Sequence, residues 1–288
     1  MTATVAQVGN NLPNGNFIPE IWSKRLNYKF YKAVYFREIF NTDWQGEIGG
    51  QGSKVKIRVR PTVVVNDYKV DGDISYQNLT DDMVELVIDK AKYFAFKVDD
   101  IVKAQADIAV SSESQIDAEK QLKIAVETGI YSTIYSDATS ALSQAALDKT
   151  NVIDWFVDAG VKLDSLNIPQ ENRWAIIPPV GRGAISKSDL KNAAIMGDGP
   201  SILRKKADYV GNINGFEVLQ SNCLTQTSGG VYQCIFGQKS GVTFASQIDK
   251  VESLRLQNSF GDAVRGLLVY GYKTNQPDAL VSAPATFS

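Results

Sequence analysis

Arg173-Trp174-Ala175-Ile176-Ile177-Pro178-Pro179 reads as a short strand that two prolines stop. An apolar run of this length suits a strand buried on both faces, and proline cannot continue a ladder. Upstream, 152–166 has the spacing of a short amphipathic helix, with Asn151 or Thr150 as cap and Pro169 beyond its end. Downstream, the sequence predicts a helix through 188–194, a Gly-Asp-Gly-Pro break at 197–200, a basic stretch at 201–209 and a strand at Gly215-Phe216-Glu217-Val218-Leu219. Cys223 and Cys234 flank Ser228-Gly229-Gly230, so they are placed on two arms of a hairpin. The last third is strand-rich, at 241–245, 251–257, 264–272 and 279–282.

Toward the N-terminus, 99–147 looks mostly helical. Leu122, Val126, Ile130 and Ile134 fall four apart on one face, and Ser112 with Gln115 predicts a capping box. A single helix over 113–138 would span roughly 39 Å, and Gly129 within it suggests close packing. Before it, 44–96 reads as a long β-hairpin. Lys54-Val55-Lys56-Ile57-Arg58-Val59-Arg60 alternates basic and apolar residues; on the return arm Val84, Leu86 and Ile88 share one face, Glu85 and Asp89 the other. The basic and acidic arms can pair across the ladder. A hairpin this long is marginal alone and needs a neighbour. Residues 1–19 read as an extended arm, followed by a helix that starts near Pro19 and carries Trp22 and Phe30. Arm, helix, hairpin, long helix, mixed centre and closing strands make the chain α+β rather than alternating βαβ.

Composition narrows the function. The 288 residues carry 30 Lys and Arg against 32 Asp and Glu, a net charge of -2, so the chain is no general polyanion binder. Histidine is absent. That removes Ser-His-Asp and Cys-His hydrolysis, His-ligated zinc and imidazole acid–base catalysis. Two cysteines are too few for a disulfide framework or a four-thiolate metal site. No basic-then-apolar leader opens the sequence and no run nears ~18 apolar residues, so the expectation is a soluble chain made in a reducing cytoplasm.

The remaining motifs favour plain readings. Gly49-Gly50-Gln51-Gly52-Ser53-Lys54 leads into a strand rather than a helix, so it reads as a loop base and not a phosphate loop. Asp71, Asp73, Ser75 and Asp82 resemble part of a calcium loop, but Tyr76 stands where glycine is needed; they read as turn residues. Asp81-Asp82 and Asp99-Asp100 are adjacent carboxylates, with nothing to set them across a cleft. Arg204-Lys205-Lys206 is a candidate local basic patch, with a solvated face as the default. No catalytic, cofactor-binding or metal site is expected. The arm, the hairpin and the long helix offer surface that a monomer cannot easily bury, which suggests self-assembly.

The whole chain resembles the major capsid proteins of tailed bacteriophages, the HK97-type fold family. Asn41-Thr42-Asp43-Trp44-Gln45-Gly46-Glu47-Ile48 and Gly52-Ser53-Lys54-Val55-Lys56-Ile57 are similar to the start of the family's extended E-loop. Tyr93-Phe94-Ala95-Phe96-Lys97-Val98-Asp99-Asp100 looks like its return toward the spine helix. The strand at Arg173, then Gly211-Asn212-Ile213-Asn214-Gly215-Phe216-Glu217-Val218 and Ser221-Asn222, resembles the axial-domain run "G-x-I-x-G-F-x-V … S-N". Val251-Glu252, Phe260-Gly261-Asp262, Arg265-Gly266 and Tyr270-Gly271 look like the closing strands of the peripheral domain.

The resemblance implies an N-terminal arm and short helix at 1–43, an E-loop at 44–96, a peripheral domain at 97–150 with 245–288, and an axial domain at 151–244. It implies a non-enzymatic coat subunit, made in the bacterial host cytoplasm and located in the virion. That subunit forms hexamers and pentamers of an icosahedral shell around double-stranded DNA, bound without sequence specificity. Expected partners are further copies of itself, a portal protein, a separate scaffolding protein and a cement or decoration protein, with no membrane and no cofactor. Lys54, Lys56, Arg58, Arg60, Glu85, Asp89 and Trp22 are the candidate inter-subunit contacts. The rival readings are an encapsulin-type nanocompartment shell, a monomeric binding module and a carboxylate-dependent hydrolase.

Overall fold

A computed structural model describes residues 31–46, 54–59, 61, 63–68, 70, 76–79, 82–99, 110–188, 209–227, 229–257 and 260–287. The chain runs through α1 (Phe36–Ile39), a 3-10 turn at Asp43–Gly46, β1 (Lys54–Val59), β2 (Asp82–Val87), β3 (Lys90–Asp99) and α2 (Val110–Asp137). Next come β4 (Ser140–Ala141), β5 (Ala145–Leu147), α3 (Val152–Ser165), β6 (Arg173–Ile177) and α4 (Pro179–Lys187). Then follow β7 (Tyr209–Ile213), β8 (Phe216–Gln220), β9 (Gln226–Thr227), β10 (Val231–Gln238), β11 (Val242–Arg255), β12 (Gly261–Thr274) and β13 (Leu280–Phe287). The mixture is α+β, as the sequence predicts.

The β6 strand sits inside an eight-stranded sheet of order β4-β13-β10-β6-β8-β7, with β5 beside β13 and β9 beside β10. It runs parallel to β8 and antiparallel to β10, and all its residues are buried. Ala175 and Ile177 face one core with Val152, Trp155, Phe156 and Leu163 of α3 and Ile185 of α4. Trp174 and Ile176 face a second core with Val126, Ile130 and Ile134 of α2, Phe36 and Phe40 of the α1 segment, and Phe244 of β11. Cover on both faces is why the strand is a continuous apolar run rather than an alternating one. Each such side chain contributes about 1.5–3 kcal/mol by leaving water.

The peripheral sheet is β11-β12-β3, antiparallel throughout, with a register shift at Ser246/Ile248. Its inner side meets α2. That helix has 28 residues, hence a length of about 42 Å.

Several local expectations change. The α2 helix begins by Val110, so Ser112 is not its cap, and Gln115 instead bonds Glu119 one turn on at 3.3 Å. Gly129 is not a packing contact: a Cβ there would meet nothing within 4 Å. The side chain of Asn151 does not cap α3; the carboxylate of Asp148 accepts from the Thr150 and Asn151 N–H groups at 2.7 and 3.2 Å. A helix starts at Pro179 itself, because proline is tolerated in a first turn, and it ends at Lys187. The sequence-predicted helix at 188–194 lies, past Ser188, outside the described residues. The hairpin is shorter than 44–96: β1 pairs β2 from Lys54↔Val87 to Val59↔Asp82, while β3 belongs to the other sheet. Cys223 precedes β9 rather than lying on a hairpin arm.

Candidate functional site

In the β1–β2 hairpin, alternation sets two faces. Ile57, Leu86 and Ile88 turn inward and pack on Ala245 of β11, with Trp44, Val55 and Val269 at the margin. Lys54, Lys56, Arg58, Glu85 and Asp89 turn to solvent. Lys56 and Glu85 are direct cross-strand partners, and the Lys54 ammonium reaches the Glu85 carboxylate at 3.2 Å. Both members are about half exposed, so the pair stabilises the hairpin little. Asp89 stands at the bend between β2 and β3, near the Tyr270 phenol, whose pKa burial raises and the Asp89 charge raises further.

The base of the hairpin is fixed to the body. The Lys90 ammonium lies 3.7 Å from the centre of the Tyr272 ring, and the Tyr272 hydroxyl meets Thr133 Oγ1 of α2 at 2.7 Å. Beyond the ladder, Val63, Val64, Val65, Tyr68, Val70, Tyr76 and Leu79 are exposed, Val65 and Tyr76 by 90% or more. This is an apolar surface that the described part of the chain does not cover. Trp22, Arg60, the 71–75 turn, the Gly49–Lys54 loop up to Ser53, and Arg204, Lys205 and Lys206 lie outside the described residues.

Nothing described resembles a reaction centre. Among the described residues no three His, Cys, Asp or Glu side chains gather to hold a metal, and no helix is long and apolar enough to cross a membrane. Cys223 and Cys234 are buried free thiols, both pushed up in pKa by burial. The outer face of the peripheral sheet carries an open recess of about 530 Å³ lined by Tyr93, Ala95, Leu267, Lys250, Glu252 and Arg265. Arg265 and Glu252 bridge its rim at 2.7 Å.

Two buried features were missed from the sequence. Arg173, 3% exposed, bonds Asp164 at 2.6 Å, donates to the Pro169 and Ile168 carbonyls at 2.9 and 2.5 Å, and lies over the Phe216 ring. Glu127 is fully buried in α2. Its place on the apolar stripe, between Val126 and Ile130, was the available signal.

No protein-family model matches the chain, and no curated protein matches it. Solved structures do. A chain from Mycobacterium phage Che8 is 30% identical, with a TM-score of 0.81 over 93% of this chain and 97% of that one. The capsid structure of the cyanophage P-SCSP1u shares 14% identity and superposes over 100% of both chains with a TM-score of 0.76. The mature capsid of bacteriophage PhiM1 shares 14% and gives 0.71 over 98% of this chain and 97% of its own. The chain belongs to the major capsid proteins of tailed bacteriophages. Its fold is the HK97-type fold. As a capsid protein it is a structural subunit of the virion shell.

Proposed function

We propose that the capsid protein closes into hexamers and pentamers of an icosahedral shell around packaged double-stranded DNA, without enzymatic activity. The observation that carries this reading is the β1–β2 hairpin with the segment beyond its ladder. Its outer half shows an apolar surface that the described residues leave uncovered, and its outward face shows a basic row. A segment of this kind gains stability only on a neighbour. The hairpin lies over the adjacent subunit, where Lys56, Arg58 and Arg60 meet acidic groups; Lys54 is already engaged with Glu85. Glu85, Asp89 and Trp22 complete that contact set. Residues 151–244 surround the capsomer axis, and 97–150 with 245–288 form the wall. Each contact is weak, and repetition in a closed shell makes them sufficient together.

The same reading gives the subunit a portal, a separate scaffolding protein and a cement protein as partners, and synthesis in the host cytoplasm. Arg204, Lys205 and Lys206 then offer a local contact to packaged DNA.

Light scattering with negative-stain images of the purified chain, alone and with its scaffolding protein, tests this reading. Closed shells or rings of five and six are expected. Reversing Arg58 and Arg60 to Glu should abolish them while leaving the circular dichroism of the subunit unchanged. A chain that stays monomeric in both preparations overturns the reading. Normal shells from the reversed variant overturn the hairpin contact, and shells that hold protein cargo in place of DNA favour a nanocompartment.

A further inference from the structure

Three stretches distant in sequence meet on one carboxyl group. Glu127 Oε2 accepts the Tyr35 backbone N–H at 2.9 Å across 92 residues. Its Oε1 accepts the Ser221 hydroxyl at 3.4 Å across 94 residues. Ser221 Oγ accepts in turn from the Cys223 N–H at 3.1 Å, and the Ser221 N–H donates to the Ile177 carbonyl at 3.0 Å. One side of the clamp is therefore the segment 35–40, which leads into the pairing of Asn41 with β11. The other is the loop 221–223 at the end of β8. The long helix lies between them.

Among the described residues, the buried groups around Glu127 are neutral at pH 7, and the one cation nearby is exposed. On the helix itself, the Tyr131 phenol is fully buried beside Glu127, and burial with the nearby carboxylate pushes its pKa well above the ordinary phenol value. From the 31–40 segment come the Tyr35 phenol, which acts on Tyr131, and the exposed ammonium of Lys32, which acts on Cys223. From the loop comes the Cys223 thiol, raised by burial and then by Glu127. Burial pushes Glu127 up to about 7, against the lowering pull of the Tyr131 hydroxyl, the Tyr35 N–H and the Ser221 hydroxyl. Tyr131 and Cys223 stay protonated near neutrality, so Glu127 is the member of this cluster that changes charge there.

We propose that Glu127 is a proton-operated clamp, which in its neutral form holds the 35–40 segment and the 221–223 loop against the long helix and on ionisation lets them part. Among the described residues the site offers a carboxylate neutral donors but no ion-paired cation, so its charge favours any opening that admits water. Tyr35, at the edge of the core with 9% exposure, is the nearer gate; Ser221 is 1% exposed. The clamp stands on the subunit's own contacts and does not depend on how the hairpin meets a neighbour.

Hydrogen–deuterium exchange of the purified full chain from pH 5.5 to 8.5, corrected for intrinsic rates, tests it. Peptides covering 33–40 and 221–225 should lose protection together, by tenfold or more, as pH crosses about 7. A peptide over β10 should not change. Glu127→Gln keeps the hydrogen-bonding shape without the charge, and it should abolish the step. Flat protection in the wild type, or a step that survives in Glu127→Gln, overturns the clamp. Should that variant not fold, carboxyl-detected carbon NMR of the wild type decides the matter: a glutamate titrating near 7 is expected, and none above pH 5.5 overturns it. Ser221→Ala should move the step to higher pH, because it removes a donor to the ionised form; an unmoved step overturns the role assigned to the loop.

Discussion

The backbone of Val87 occupies the space that a side chain on Gly271 would fill. The Val87 carbonyl oxygen overlaps the position of a Cβ there, and Ile88 Cα lies 2.9 Å from it. The hairpin therefore crosses the peripheral sheet backbone to backbone, just where the chain bends from β2 into β3. Glycine is required here for close approach rather than for an unusual dihedral angle.

Gly271→Ala should lift the hairpin base off the sheet. The expected result is a loss of exchange protection over 55–59 and 84–88, with shell assembly impaired and the β6 and β10 strands still protected. Unchanged protection of the hairpin base would show that the crossing can relax.

Two further glycines give opposite expectations. A Cβ on Gly237 would come within 2.7 Å of both Leu280 and Trp174, so Gly237→Ala overpacks the centre of the main sheet. It should cost about 1–3 kcal/mol in urea unfolding of the unassembled chain. Gly129 is exposed in mid-helix with open space around it, so Gly129→Ala should stabilise by roughly 0.5–1 kcal/mol.

Arg173 is nearly buried, whereas its partner Asp164 is half exposed. Arg173→Met keeps the apolar stem but leaves the Pro169 and Ile168 carbonyls without their donor, and should cost about 2–4 kcal/mol. Asp164→Asn should cost less, because water and the two carbonyls still serve the guanidinium. Denaturation midpoints of the two variants, compared at equal slope, check the order.

The pH dependence of stability follows from Glu127. Its folded value, about 7, lies above the ordinary 4.5. Between those values the folded chain holds a proton that the unfolded chain has lost. The contribution is complete below about pH 4.5, falls as pH rises through the window and levels off above about 7. The total change is on the order of 3 kcal/mol. Glu127→Gln should flatten this part of the stability curve in urea titrations at successive pH values, and an unchanged slope would assign it to another group.

Much of the framework was legible because its signals are local. The alternation of Lys54 through Val59 is a strand with one wet face, and that is how β1 lies. The stripe of Val126, Ile130 and Ile134 is the buried face of α2. The run at Arg173–Ile177 is a strand covered on both sides. Where prediction failed, a local signal had a stronger competitor. Asp148 reaches more N–H groups than Asn151 does, and takes over the approach to α3. The prolines that end β6 also suit the first turn of α4, so the same residues stop one element and start the next.

The sequence by itself determined the class of the chain, its lack of imidazole chemistry, the main strands and helices, and the basic and acidic faces of the hairpin arms. These depend on periodicity, composition and neighbours a few residues away. Only the tertiary structure decided that β3 leaves the hairpin for the peripheral sheet and that β13 returns to the central one. It also decided that Gly271 admits a crossing backbone and that Glu127 joins residues 92 and 94 positions away. Pairing partners, close approaches and the desolvation of a single carboxyl depend on which distant segments share a core, and no short stretch of chain encodes that.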